Sequence, residues 1–265
     1  MDQAAARPSS RPERVCDSGR FRRSNLKLFV RKDLFRRIIS GGFVNLTHVN
    51  ARKIEIGWDE DDLFDLLVRP MRESSSFVQH LGTPERASSR EIFYGTFPPQ
   101  VDPGKRKPAT WIWMIRRIRD GNGVKPPRNL IDLVQKAQQE QHRREEREKN
   151  EHNIGQPLIG SDALKRGLSR LSNERVEDTL LAEAGDHAHL IERFRDGKAE
   201  HNEVTVAEVL EAEGQALTDA MRVLMDLGFL EQVGATYKIP MLYRDGLRIT
   251  QGKAFVSGEA PEEEE

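Results

Sequence analysis

The chain has 265 residues, enough for one large domain or two small ones, and it balances 42 Lys and Arg against 43 Asp and Glu. No apolar run reaches the roughly 20 residues of a membrane-spanning helix, and the N-terminus lacks the apolar core of a secretory signal. Cys16 is the single cysteine, which excludes a disulfide framework and a cysteine-rich zinc site. A cytoplasmic setting is the default expectation.

The charge is unevenly placed. Residues 1–37 are rich in Arg and Lys, and the chain closes on the acidic GEAPEEEE. A basic arm can bind nucleic acid or an anionic surface nonspecifically, but a solvated arm is the plainer reading. Residues 1–24 carry breakers and no periodicity, so a disordered basic arm is expected there, and a disordered acidic tail over 255–265.

Asn25 to Val30 reads as a short buried strand. Leu34, Phe35, Ile38 and Ile39 follow at helical spacing, with Gly41-Gly42 closing the helix. Ala51 to Trp58 alternates like a second strand. A helix with acids in its first turn and a Leu63, Leu66, Leu67 stripe comes next. Residues 25–68 therefore read as half of an α/β sheet, and two strands alone do not make a stable one.

Thr110 to Gly121 is an amphipathic helix, with Trp111, Ile112, Ile115 and Ile118 inward and Arg116, Arg117 and Arg119 facing out or toward a partner. The following stretch, GNGVKPPRNLIDLVQKA, places Pro127 at a first helical position, where its missing N–H costs nothing. Its stripe is Leu130, Ile131, Val134 and Ala137. Arg128 sits at the helix start, where the dipole favours an acid. An anion there would offset the repulsion and accept backbone N–H bonds; the alternative is a side chain bending away into water. The polar residues after Ala137 read as a helix tail or linker.

A second domain is expected over 157–254. Ser161 and Ser172 are plausible N-caps, and HAHLIERFRDG is a short helix. A helix from Val206 to Glu211, a turn at Gly214, a helix ending at Gly228 and two short strands flanking Gly234 give a winged-helix pattern. LYRDGLRITQG closes with a last short helix.

The chain has no G-x-x-x-x-G-K-[ST], no H-E-x-x-H, no G-x-S-x-G and no cysteine pair. His187, His189 and His201 read as surface histidines, and no metal site is expected. Arg31 directly follows KLFV, and in open α/β sheets ligands lie outside the carboxyl ends of strands.

KLFVRKDLF, IEIGWDEDDLFDLLVR and TWIWMIRRIRDGNGVKPPRNLIDLVQKA, in this order, resemble the later half of a prokaryotic P-loop ATPase family near the signal-transduction and origin-recognition branches of the AAA+ ATPases. MLYRDGLRITQG is similar to that family's ending. The resemblance covers residues 25 to 254. It implies an α/β remnant of the ATPase core (25–68), a mostly α helical lid with a polar linker (69–150) and a C-terminal winged-helix domain (157–254). It makes Arg31 the first sensor position and Arg128 the second, reaching a nucleotide's γ-phosphate, and puts Trp58, Asp59 and Leu63 at the strand-to-lid junction. The family's phosphate-binding loop and Walker B acid are expected upstream of these residues, and Asp33 does not replace that acid. ATP and Mg²⁺ would then bind only together with the missing P-loop segment, and no hydrolysis is expected of this chain alone. The expected function is the regulatory portion of a P-loop ATPase. Its partner would be the ATPase half, another protein or a second copy of the chain.

Two other readings stand beside it. One is a winged-helix DNA-binding regulator, whose recognition helix would offer only Arg222 as a basic residue, beside Asp219 and Asp226, with Lys238 on the wing. The other is a ligand-free helical adaptor for protein contacts.

Overall fold

The structure, a computed structural model, describes residues 27–30, 35, 38–39, 46–82, 87–148 and 156–255. Arg31, Asp33, Leu34, Gly41-Gly42, the basic arm and the acidic tail lie outside the described residues. The chain groups into two compact units, 1–56 and 57–265.

In the first unit, Phe35, Ile38 and Ile39 have helical backbone and Leu46–Asn50 forms α1. The two strands expected here are not formed: residues 27–30 and 53–58 have no regular structure and are exposed. Ile54 and Ile56, the apolar residues of the alternating run, are 88% and 69% exposed. Alternation selects a face, but a strand also needs a neighbour to take its backbone hydrogen bonds. Among the described residues, a sheet forms near the C-terminal end.

The second unit opens with α2 (Glu60–Glu73). Asp59 caps it by accepting the Asp62 N–H at 2.7 Å, and the three acids of the first turn suit the positive end of the helix. Trp58, beside the cap, is exposed, whereas Leu63 is fully buried. Short α3 (Ser75–His80) and α4 (Ser89–Thr96) follow, then α5 (Thr110–Ile118) and the long α6 (Pro127–Glu148). Phe64, Phe93 and Trp111 pack with ring centroids 5.0–5.9 Å apart and join α2, α4 and α5.

The inward faces are rotated slightly from the sequence pattern. On α5, Trp113 and Met114 are buried beside Ile115 and Ile118, while Trp111 and Ile112 are only partly covered. On α6, Leu133 is fully buried, and Ile131 is 40% exposed. Leu130 and Ala137 hold their expected places.

Helix α7 (Ser161–Glu174) packs along α6. The approach is close enough that a Cβ on Gly167 would meet the Ala137 backbone nitrogen at 2.7 Å. Neither serine caps as expected. Gly160 is the N-cap, so Ser161 is the first helical residue, and Ser172 lies buried inside α7, where its Oγ accepts the Gly246 N–H at 2.9 Å. A π-turn (Arg175–Leu180) leads to α8 (Leu181–Ala184) and α9 (Ala188–Glu192).

The C-terminal part runs β1 (Lys198–His201), α10 (Glu203–Leu210), α11 (Gly214–Asp226), β2 (Glu231–Val233), β3 (Thr236–Lys238), α12 (Met241–Arg244) and β4 (Thr250–Lys253). The sheet order is β2-β3-β1-β4: β3 is antiparallel to both β2 and β1, and β4 is parallel to β1. The β2–β3 hairpin turns at Gly234, whose φ of +61° suits a glycine. Strand β1 had no signal in the sequence, because KAEH has no clear alternation and its partners are distant in the chain. It buries His201, which is 2% exposed rather than a surface histidine; His187 and His189 are exposed as expected. One hydrophobic cluster runs from Leu63 to Ile249, through the helices on both sides of residue 157. The molecule is thus a mostly helical α/β protein with one small mixed sheet.

Candidate functional site

The turn between α5 and α6 is built around Asp120. Its Oδ1 accepts the N–H groups of Asn122 at 2.9 Å and Val124 at 2.8 Å, and Gly123 completes the turn at φ +73°. Burial raises the Asp120 carboxyl pKa, and these backbone hydrogen bonds work against that rise. Asn129, buried in the first turn of α6, donates from Nδ2 to the Ile118 carbonyl at 2.8 Å. That bond satisfies an end carbonyl of α5 and fixes the angle at which α6 leaves.

The same turn is clamped to the C-terminal half of the unit. The Gly121 N–H donates to the Gly228 carbonyl at 2.7 Å, and Asn122 Nδ2 donates to the Asp226 carbonyl at 3.3 Å. Gly121 is required by space, and Gly228 by its φ of +69° in a tight place. A Cβ on Gly121 would lie 2.7 Å from the Leu230 carbonyl oxygen, and one on Gly228 would lie 3.0 Å from the Asp120 carboxyl carbon. Arg119 Nη2 adds contacts at 2.9 and 3.0 Å to the two carboxylate oxygens of Glu231, at the start of β2.

Arg128 emerges from this scaffold. Pro127 is the first residue of α6, as its backbone chemistry predicts, and Arg128 is exposed beside it. The side chain is thus placed in solvent at a fixed helix start. Arg31, the other arginine expected to face a phosphate, lies outside the described residues.

A cavity of about 580 Å³ opens on the other side of α5, between that helix, β3 and α12. Seven basic side chains line it against three acids. Arg117 stacks on Trp113, 4.2 Å from the ring centroid, and lies 3.7 Å from Asp102. Arg119 and Lys125 are held by Glu231 and Glu60, the latter pair at 2.7 Å. Arg244, from α12, donates through Nε to the Ile239 carbonyl at 2.8 Å. The outward arginines of α5 therefore meet partners within the chain at Arg117 and Arg119, while Arg116 remains exposed at the cavity rim. Arg128 does not line this cavity. The contributions of Lys107, Glu231 and Arg244 had no signal in the sequence, since each is brought in from a distant element.

Among the described residues, no group of three His, Cys, Asp or Glu could hold a metal ion, and no helix is long and apolar enough to cross a membrane. Comparison with protein-family models, with curated proteins and with solved structures finds no match to this chain.

Proposed function

We propose that residues 57–255 serve as the helical lid and winged-helix portion of a P-loop ATPase, a regulatory module that senses nucleotide bound by another segment or chain. The observation that carries the reading is the clamp between the α5–α6 turn and the end of α11. It ties the helix start bearing Arg128 to the C-terminal helix-turn-helix and hairpin, so a pull on Arg128 is transmitted to that end of the unit. The order β1, α10, α11, β2, β3, with β1 pairing β3, supports a winged helix for the C-terminal part. An exposed Arg at the first turn of a long helix fits contact with a terminal phosphate, whose charge would offset the helix dipole. The phosphate-binding loop and the Mg²⁺ ligands belong, on this reading, to the other segment, which supplies the chemistry of hydrolysis.

The DNA-binding alternative is less favoured. Arg222, the one basic residue of α11, is paired with Asp219 at 3.3 Å, which leaves that helix without an uncommitted cation for phosphate or guanine.

The test joins the chain to a segment carrying G-x-x-x-x-G-K-[ST] from the sequence preceding it in its genome. Arg128→Ala is expected to lower the hydrolysis rate by on the order of 100-fold, with nucleotide affinity changed by less than about 5-fold. Equal hydrolysis by the two proteins removes the sensor role.

A further inference from the structure

We propose that the cavity between α5, β3 and α12 is a binding site for a small organic phosphate, a phosphate chain carried on an apolar body such as a nucleoside triphosphate. Its surroundings divide by chemistry. Pro108 and Met241 supply part-exposed apolar lining over the buried Ile115, Ile239 and Pro240, and cationic groups converge from α5, α12 and the loops. A volume of about 580 Å³ lies within the usual range of small-molecule sites.

The cations here are not all neutralised by the protein. Arg119, Lys125 and Arg117 have acidic neighbours in Glu231, Glu60 and Asp102, and Asp102 is shared with Lys165 at 2.9 Å. Lys238 lies 3.5 Å from Glu200. Arg244 spends its hydrogen bonds on the Ile239 carbonyl and Gln251 Oε1, neither of which carries charge, while Glu200 and Glu231 act on its charge without a direct ion pair. Arg116 and Lys107 are exposed and have no ion pair among the described residues. Arg116 and Lys107 thus leave positive charge to spare at one opening, beside a partly compensated Arg244.

Two of these groups are partly withdrawn from water, which makes the excess costly. Burial lowers the pKa of both Arg117 and Arg244. At Arg117 the carboxylates of Asp102 and Asp245 work against that fall and the charges of Arg244 and Arg116 add to it; at Arg244, Glu200 and Glu231 work against it. An anion in the cavity would relieve that repulsion, and guanidinium groups suit phosphate oxygens because their N–H donors are fixed in one plane. This site is separate from Arg128 and does not depend on the sensor reading.

The experiment is a calorimetric titration of the full chain with ATP and with inorganic tripolyphosphate, at low and at physiological salt. ATP is expected to bind, and tripolyphosphate to bind at least about 5-fold more weakly, because it has no body for the apolar lining. The double substitution Lys107→Gln with Arg116→Gln should weaken ATP by about 10-fold or more. Both side chains are exposed and have no ion pair among the described residues, so the fold is expected to be retained, which circular dichroism checks. Arg166→Gln, an exposed charge on α7 outside the cavity, should leave the affinity unchanged. The proposal is overturned by no ATP binding at millimolar concentration, by equal affinity for tripolyphosphate, by an unaltered double variant, or by equal weakening in Arg166→Gln. Preferential binding of duplex DNA that the double variant abolishes would also overturn it, in favour of a nucleic-acid groove.

Discussion

His201 shows how little a single residue's identity says about its surroundings. It was read as a surface histidine, yet β1 carries it into the core, edge-on to Phe194 with ring centroids 5.2 Å apart. Nε2 lies 2.9 Å from the Lys198 carbonyl, so the neutral ring donates there, and Nδ1 is left without a partner. Burial depresses the pKa, outweighing the hydrogen bond to the carbonyl. The unfolded chain therefore takes up a proton near pH 6.5 that the folded chain resists, and stability falls as pH drops through that value. The thermal midpoint is expected to decline between pH 7 and pH 5.5. His201→Phe should flatten that decline, whatever its effect on the midpoint at pH 7. An identical pH slope in the variant would place the titration elsewhere.

At the scale of elements, the α5–α6 turn is the part whose local and distant chemistry agree. Asp120, Gly123, Pro127 and Asn129 shape the turn and start α6; the glycine turn and the Pro127 start were readable from GNGVKPPRN, the roles of Asp120 and Asn129 were not. The sequence was silent on the second demand at the same place, the meeting with the end of α11. Gly121 faces two backbone carbonyl oxygens, those of Leu230 and Gly228, at 2.7 and 2.8 Å from the Cβ it lacks. Backbone cannot swing aside as a flexible side chain can. Gly121→Ala is expected to cost about 1–3 kcal/mol in chemical denaturation, whereas Gly123→Ala meets no atom within 4 Å and pays only for its positive φ. A smaller loss at Gly121 than at Gly123 would show that the clamp is not tight.

For the whole molecule, the buried hydrophobic cluster begins at Leu63 and ends at Ile249. A chain starting at Gly57 is accordingly expected to unfold cooperatively, with a midpoint within about 3 °C of the full chain, a shift that corresponds to about 1 kcal/mol for this size. A non-cooperative transition would mean that residues 1–56 complete the core. Periodicity and punctuation by themselves determined α2, α5, α10 and α11, the Pro127 start of α6, the Gly228 stop and the Gly234 hairpin, while α3, α4 and the cap at Asp59 carried no signal that was read. Each of the former rests on a few neighbouring residues and on backbone preferences that hold in any context. Tertiary structure decided three other matters. It left the alternating run at Ala51–Trp58 outside any strand, because strand formation depends on a neighbouring strand rather than on a pattern. It made KAEH a strand by laying it against β3 and β4, and it collected Lys107, Arg116 and Arg244 around one cavity. Long-range pairing and the meeting of like charges depend on where distant elements come to rest, and no short stretch of this sequence contains that information.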